Sequence, residues 1–520
     1  MSPTWRVKND WVKENRFLTQ SPARAPLPQW ETFRASLPRP FWEGHDDAIA
    51  CYWKVWELAH KNLKPATAEN NFLANYIDTA FNNHTFLWDS VFMLSFGRYG
   101  SRAFDFQRTL DNFYRNQEGD GFIGREYHND TGQSRWQSFD PNATGPNLFA
   151  WSEWENWLHT GDRERLEKVF PVLMAYHEWT RLFRTWQDGT YWNCGFGAGM
   201  DNQPRIERQD LRKHHHGFMS WVDATLQALL SADLLVKMGN ELGRPADVKG
   251  LELERKALLQ LVNEKMWNPK TQFYHDLARD GKFVPVKTIG AYWALLAQAV
   301  PQSRLKPFLA HLENKKEFNR PHRCPSLSAD HPEYNYNGGG GYWCGAVWPN
   351  TNYMLLRGLT DCGEDRLAHE IAMNHLENIT EVFRQTGTVF ENYDPEAPRA
   401  GKPAKSDFVG WGGIGPVAVL FEYALGLRAD VPHQTLLWDV RLTEAHGVEN
   451  YPFGKEGLLQ LSCQKRGSSQ DEPGVTLSSN IPVKIIVCWD GKRKSYQVDS
   501  TGCVLLPSAE KKTPNSRKKL

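Results

Sequence analysis

The sequence predicts a mainly α-helical protein: a closed α/α toroid carrying a small C-terminal β-sandwich-like appendage. Three observations carry that expectation. About a dozen amphipathic segments alternate with loops from residue 46 to 428. No self-similarity at a fixed period marks an open solenoid, so helices in such number pack most simply as inner and outer layers of a closed ring, with function in the loops of one rim. After Leu427 the pattern changes to short apolar and β-branched runs between turn residues.

Residues 1–45 are polar and Pro-rich, as in Ser21-Pro22-Ala23-Arg24-Ala25-Pro26, and read as an extended arm. Helices are then predicted over 46–63, 90–99, 103–116, 147–160, 163–185 and 221–242. More follow over 250–266, 288–299, 304–311, 351–359, 364–386 and 414–427. Helix-stop chemistry closes several of them, such as His159-Thr160-Gly161 and Leu242-Gly243-Arg244-Pro245. Between Trp267 and Asp276 a Pro-Lys-Thr turn joins two aromatic pieces into a small hairpin. The helical domain is thus expected over 46–430 and a small β domain over 431–507. Residues 508–520 form a basic tail expected to be disordered.

Composition narrows the function classes. With 61 Lys+Arg against 61 Asp+Glu, no global field draws in nucleic acid or an anionic membrane. No apolar run approaches the roughly 18 residues of a membrane span, and no secretory signal is visible behind the first charges. The eight cysteines are scattered without metal-like spacing, as expected of cytoplasmic thiols. Tryptophan is the outlier: 22 residues, many beside Asp, Glu, Asn or Gly. Flat apolar rings next to polar groups suit carbohydrate, whose C–H faces stack while its hydroxyl edges bond.

Two carboxylates stand out against that background. Asp201, in Gly199-Met200-Asp201-Asn202, lies among Trp192, Phe196 and Met200 in a Gly-punctuated turn. Partial desolvation there would raise its pKa and keep it protonated as a donor. Glu391, at the end of Thr388-Val389-Phe390, precedes Asn392 and Tyr393 and could orient a water. Either stretch alone would read as an ordinary solvated loop. Together they suggest an acid and a base across a sugar-sized cleft. His214-His215-His216 does not read as a metal site, because consecutive side chains diverge, and no nucleophile elbow, phosphate loop or dinucleotide fingerprint is present. No cofactor is expected.

Ordered motifs then carry a resemblance over roughly residues 65–428. They are Phe86-Leu87-Trp88-Asp89, Gly121-Phe122-Ile123-Gly124-Arg125-Glu126, Gly199-Met200-Asp201-Asn202, Trp221-Val222-Asp223, and Trp267-Asn268 with Phe273-Tyr274-His275-Asp276. Gly341-Tyr342-Trp343 with Trp348-Pro349, Phe390-Glu391-Asn392-Tyr393 and Phe408-Val409-Gly410-Trp411 follow. In this order they resemble glycoside hydrolase family 63, especially its mannosylglycerate-hydrolase-type members, in the clan that includes the trehalases. The resemblance implies an (α/α)6 barrel and inverting, exo-acting hydrolysis of a terminal α-glucoside or α-mannoside. Asp201 would be the general acid and Glu391 the general base, about 6.5–9.5 Å apart. Trp88, Asp89, Arg125, Asn202, Trp343, Trp348 and Trp411 would bind the sugar. The aromatic loop departs from the family's usual Tyr-Trp-Arg-Gly-Pro, reading Tyr342-Trp343-Cys344-Gly345-Ala346, so the resemblance leaves the sugar, linkage and aglycone open. Two other readings stay open beside it. One is a lyase or epimerase on the same toroid, which product analysis would separate. The other is a carbohydrate-binding protein without turnover.

Overall fold

The computed structural model describes residues 8–499 and the strand Cys503–Leu505. The expected basic tail, 508–520, lies outside the described residues.

Six helical segments form a ring. Leu87–Gly97, Phe149–Thr160, Val222–Glu241, Trp293–Leu296, Pro349–Asp361 and the π-helical Ile414–Ala424 each pack on the next, and the last packs on the first. Their sequences explain the inner position. Every residue of Leu87–Gly97 and of Ile414–Ala424 is buried, as expected of helices apolar on all sides. The outer helices carry one stripe instead. In Asp365–Thr386, Leu367, Ile371, His375, Ile379 and Val382 recur at three- to four-residue spacing and face inward, while charges cover the other side. Asp46–Lys61 packs on Asp365–Thr386 and on Ile414–Ala424, and Arg163–Phe183 on Phe149–Thr160 and Val222–Glu241.

Several predicted helices differ in detail. The segment 103–116 is a 3-10 turn, Phe106–Leu110, followed by the short helix Asp111–Tyr114. The helix expected from 250 begins at Pro245, whose fixed φ and missing N–H suit a first helical position. The hairpin at Trp267–Asn268 and Phe273–Tyr274 forms, pairing Trp267 with Tyr274.

The C-terminal strands make two sheets. One runs in the order Arg39–Trp42, His446–Phe453, Gly457–Cys463, Val475–Ser479, Cys503–Leu505 and is antiparallel throughout. In the other, Lys492–Val498, Val483–Trp489, Thr435–Asp439 and Leu427–Asp430 lie side by side, with the central pair parallel. Alternate residues point inward, such as Leu459, Leu461, Ile485 and Val487, and they join the core shared with the helices.

The N-terminal segment corrects the expectation of an extended arm. Residues 10–18 form 3-10 turns capped by Asn9 and Asn15, Trp30–Ala35 is helical, and Arg39–Trp42 adds the edge strand beside His446–Phe453. Phe17, Phe33, Leu37 and Trp42 are buried. Polar composition masked these four anchors, whose apolar surface is what ties the segment down. The sheet region is therefore built from both ends of the chain and opens at Leu427.

Candidate active site

A cavity of about 220 Å³ opens at the N-terminal ends of the ring helices. Trp88 and Asp89 belong to the first turn of Leu87–Gly97. The strand just before it, His84–Phe86, pairs with Glu126–His128, setting Phe86 opposite Glu126. The Leu87 N–H bonds the Arg125 carbonyl at 2.8 Å. These pairings carry Arg125 and Glu126 to the cavity wall.

Asp201 arrives on a tight turn. The short helix Gly195–Ala198 ends at Gly199 in the left-handed region, φ +73°, which glycine tolerates without strain. The same position presses on Trp88: a Cβ there would come within 2.8 Å of the indole. Behind the turn, the Arg205 guanidinium is buried between Asp223 and Asp276, with N–O distances of 2.6–2.9 Å, and lies over the Trp221 ring. Asp276 also accepts from the Val222 N–H at 2.8 Å. Two of the sequence motifs, Trp221–Asp223 and Phe273–Asp276, thus act as a frame for the Asp201 turn rather than as cavity wall.

Glu391 is held from three sides. Its backbone N–H bonds the Lys405 carbonyl at 2.9 Å, and its carbonyl accepts from the Trp411 indole at 2.6 Å. On the side chain, one carboxylate oxygen accepts from the Tyr342 hydroxyl at 2.9 Å, the other from the Lys405 N–H at 3.2 Å. Tyr342 sits at φ +63°, rare for a side-chain-bearing residue, after the Gly338–Gly341 run.

Asp201 and Glu391 line the same cavity, although 190 positions separate them in sequence. Burial pushes Asp201 up to about 6 against the opposing charges of Arg125 and Lys213. Burial also pushes Glu391 up to about 7, opposed by the Tyr342 and Lys405 hydrogen bonds and reinforced by the Asp201 charge. Asp89, buried beside them, is raised well above the usual carboxylate range by burial and then by Glu391. Burial raises both of the first two, while both Glu391 oxygens meet donors, and a backbone N–H can only donate. Asp201 receives only its own backbone N–H among the described hydrogen bonds. That donor pattern favours the anionic form of Glu391.

Of the sequence-predicted binding residues, Trp88, Asp89, Arg125, Trp343 and Trp411 line the cavity. Two do not. The Asn202 amide donates to the Gly341 carbonyl at 3.0 Å and accepts from the Trp343 N–H at 2.9 Å, so it clamps the aromatic loop to the Asp201 turn. Trp348 is fully buried and stacks flat behind Trp343, with centroids 3.7 Å apart at 3°. Asn202 stands next to the acid in sequence, but both ends of its amide are used by backbone. Trp348 packs one layer back because it caps the helix Pro349–Asp361. Tyr342, Phe86, Phe81, Glu126 and Phe196 line the cavity without having been singled out as binding residues. The signal for Tyr342 was its place after four glycines, which bring the loop against the site. The three consecutive histidines are tied to separate partners: His214 to Asn142, His215 to the Gly217 N–H and His216 to the Phe218 N–H.

Comparison with known proteins gives the family. The family model described as the mannosylglycerate hydrolase MGH1-like glycoside hydrolase domain matches residues 82–411. The chain belongs to that family. It is therefore a glycosidase, and the matched stretch holds five of the six ring segments, all but Ile414–Ala424, and every cavity residue named above except Phe81. An uncharacterized protein of Borreliella burgdorferi is 25% identical over 382 residues, covering 71% of this chain and 77% of its own length. A probable mannosyl-oligosaccharide glucosidase of Schizosaccharomyces pombe is 27% identical over 280 residues, covering 47% of this chain. This chain spans only a third of that relative's length, 33%. Among solved structures, the glucose complex of a family 63 mannosylglycerate hydrolase from Thermus thermophilus is 19% identical with a TM-score of 0.55. It covers 70% of this chain and 99% of its own, a likeness of fold. No helix of the described residues is long and apolar enough to cross a membrane.

Proposed function

We propose that this MGH1-like enzyme is an inverting, exo-acting α-glycosidase that removes one terminal glucosyl or mannosyl residue from an oligosaccharide or small glycoside. The observation that carries the reading is the convergence of Asp201 and Glu391 on one cavity, each with its pKa raised. The cavity's 220 Å³ holds about seven waters at liquid volume, room suited to one pyranose rather than a chain. Trp343, backed by Trp348, offers a rigid flat face for the sugar ring, and Asp89, Arg125 and Glu126 offer polar groups for its hydroxyls. The printed names of the relatives, a mannosyl-oligosaccharide glucosidase and a mannosylglycerate hydrolase, support glucose and mannose as the sugars. The ring of six helices with the remaining helices outside it supports an (α/α)6 barrel, joined to a β-sandwich. Seven free thiols among the described cysteines support a reducing, cytoplasmic setting.

Asp201 gives its proton to the glycosidic oxygen as the bond to the anomeric carbon breaks. On the opposite face Glu391 takes a proton from water, whose oxygen bonds to that carbon and inverts it. The protons end on the leaving hydroxyl and on Glu391, and exchange with solvent resets the pair. Asp201→Asn and Glu391→Gln are each expected to lower turnover by about 10²–10⁴-fold with sugar binding retained. Proton NMR of an α-glycoside digest should show the β-anomer first. An α-anomer formed first, or near-normal turnover by either variant, would reject the proposal.

A further inference from the structure

A second cavity, of about 520 Å³, opens at the other end of the helical ring. The C-terminal ends of Leu87–Gly97 and Phe149–Thr160, the start of Arg163–Phe183, the Gly454-Lys455 turn of the sheet region and Gln20 of the N-terminal segment meet there. It therefore exists only because the sheet that carries this turn and the N-terminal segment dock on the ring. None of its wall residues touches the catalytic cavity.

Six cationic side chains and four carboxylates, Asp105, Asp111, Asp162 and Glu164, line it, and four of the cations are ion-paired. Arg98 is paired with Glu155 at 3.1 Å and Glu422 at 2.7 Å, and Arg165 with Glu153 at 2.7 Å and Asp111 at 3.0 Å. Arg108 reaches Asp111 at 3.3 Å and Lys455 reaches Asp162 at 3.0 Å. Arg102 and Lys168 are left over: among the described residues neither has a carboxylate within ion-pair distance. The Arg102 guanidinium donates to the Gly457 carbonyl at 3.1 Å, and its Nε is buried without a partner. The Lys168 ammonium donates to the Gln20 side-chain carbonyl and lies 4.1 Å from the Phe17 ring centroid. Burial lowers the Lys168 pKa, and the Arg165 and Arg108 charges lower it further against Asp111. On the acidic side, Glu164 sits at the exposed rim. Burial raises Asp105, and Asp111 adds to that against Arg165, which moves its carboxyl toward the form that donates a hydrogen bond.

Two cations without an ion-pair contact therefore line one polar cavity, where an anionic group would meet them. We propose that this cavity binds a small phosphomonoester, its phosphate held by Lys168 and Arg102 and its polar remainder by Gln107, Asn156 and Thr160. A bare phosphate would leave most of the 520 Å³ unfilled, so the ligand carries a polar body of about sugar size. Phosphate oxygens would satisfy the ammonium and guanidinium donors by charge-assisted bonds, and the site is independent of the carboxyl pair that does the chemistry.

Isothermal titration of the full chain with glucose 6-phosphate, inorganic phosphate and glucose, at fixed ionic strength, tests the proposal. Glucose 6-phosphate should bind saturably and more tightly than inorganic phosphate. Lys168→Met and Arg102→Met should each weaken that binding by about tenfold or more, while Lys168→Arg retains it. Thermal denaturation verifies that each variant is folded, and phosphorus NMR of glucose 6-phosphate with the unsubstituted protein reports binding without any variant. Any one of three results would overturn the site: no saturable binding of either phosphate compound, glucose 6-phosphate binding abolished when glucose saturates the catalytic cavity, or affinity unchanged in both methionine variants. A phosphate ester that binds to an enzyme without hydrolytic activity would sink the function proposed above and leave this site standing.

Discussion

Tyr342→Phe tests the tuning of the carboxyl pair more sharply than removal of either carboxyl. The substitution keeps the ring against Trp348, where the two centroids lie 4.9 Å apart in an edge contact, and deletes only the hydroxyl that donates to Glu391 at 2.9 Å. A hydrogen bond to a charged group contributes about 1.5–3 kcal/mol. Glu391 is only 3% exposed, so solvent does little to replace it. That bond lowers the Glu391 pKa, so its loss raises a value already near 7. The sign follows from the active form, which needs Glu391 ionised and Asp201 protonated. Below both pKa values, activity depends on Glu391 losing its proton, so raising its pKa reduces kcat/KM there by about 10- to 150-fold. Above both values, activity depends on Asp201 keeping its proton, and the Glu391 change cancels. This holds whichever carboxyl has the higher pKa. The assay is kcat/KM, which reports the free enzyme, across about pH 4–9 with an aryl α-glycoside. A uniform loss at every pH, or a loss confined to alkaline pH, would refute the tuning role of Tyr342.

Three further outcomes are expected. Arg205→Met strands Asp223 and Asp276 as buried carboxylates, so it should cost about 3–5 kcal/mol in urea denaturation; a loss under 1 kcal/mol would mean the frame behind Asp201 is not needed. Asn202→Ala frees the Gly341 and Trp343 backbone groups and should cost about 1–3 kcal/mol, with kcat/KM falling because the aromatic loop loses its register; unchanged stability would contradict the clamp. His322 Nε2 and His375 Nδ1 lie 2.8 Å apart in a buried pair, and burial holds His375 down at about 3 and His322 well below its ordinary value. Because their folded pKa values are depressed, stability is full above the unfolded value of about 6.5 and falls as pH drops below it, by about 2 kcal/mol for His375 at pH 5. His375→Gln should therefore lose about 2 kcal/mol less than the parent between pH 7.5 and pH 5; equal losses would refute the assignment.

The helical alternation was legible in sequence because each helix writes its own period locally. An outer helix such as Asp365–Thr386 shows one apolar stripe, and an inner one such as Ile414–Ala424 is apolar throughout, so the succession of helices could be read before any contact was known. The acid and base candidates were also legible, because glycine and aromatic residues flank Asp201 and Glu391 in the chain itself. Cavity lining was harder. Asn202 and Trp348 carry sugar-binding residue types at motif positions, yet one amide is consumed by the backbone of a loop about 140 residues away and the other ring lies one layer behind Trp343. Sequence spacing has no term for either event.

Local order thus decided the class of this protein: helix after helix, with carboxylates bedded in turns. Tertiary structure decided what those carboxylates became, since only docking across 190 residues removes their water, lifts both toward neutral pH and brings the Tyr342 and Lys405 donors onto one of them. It also decided where the N-terminal segment belongs, because an edge strand exists only once its partner strand, some four hundred residues later, is in place. Burial and hydrogen-bond direction are properties of neighbours in space, and the linear order of residues does not contain them.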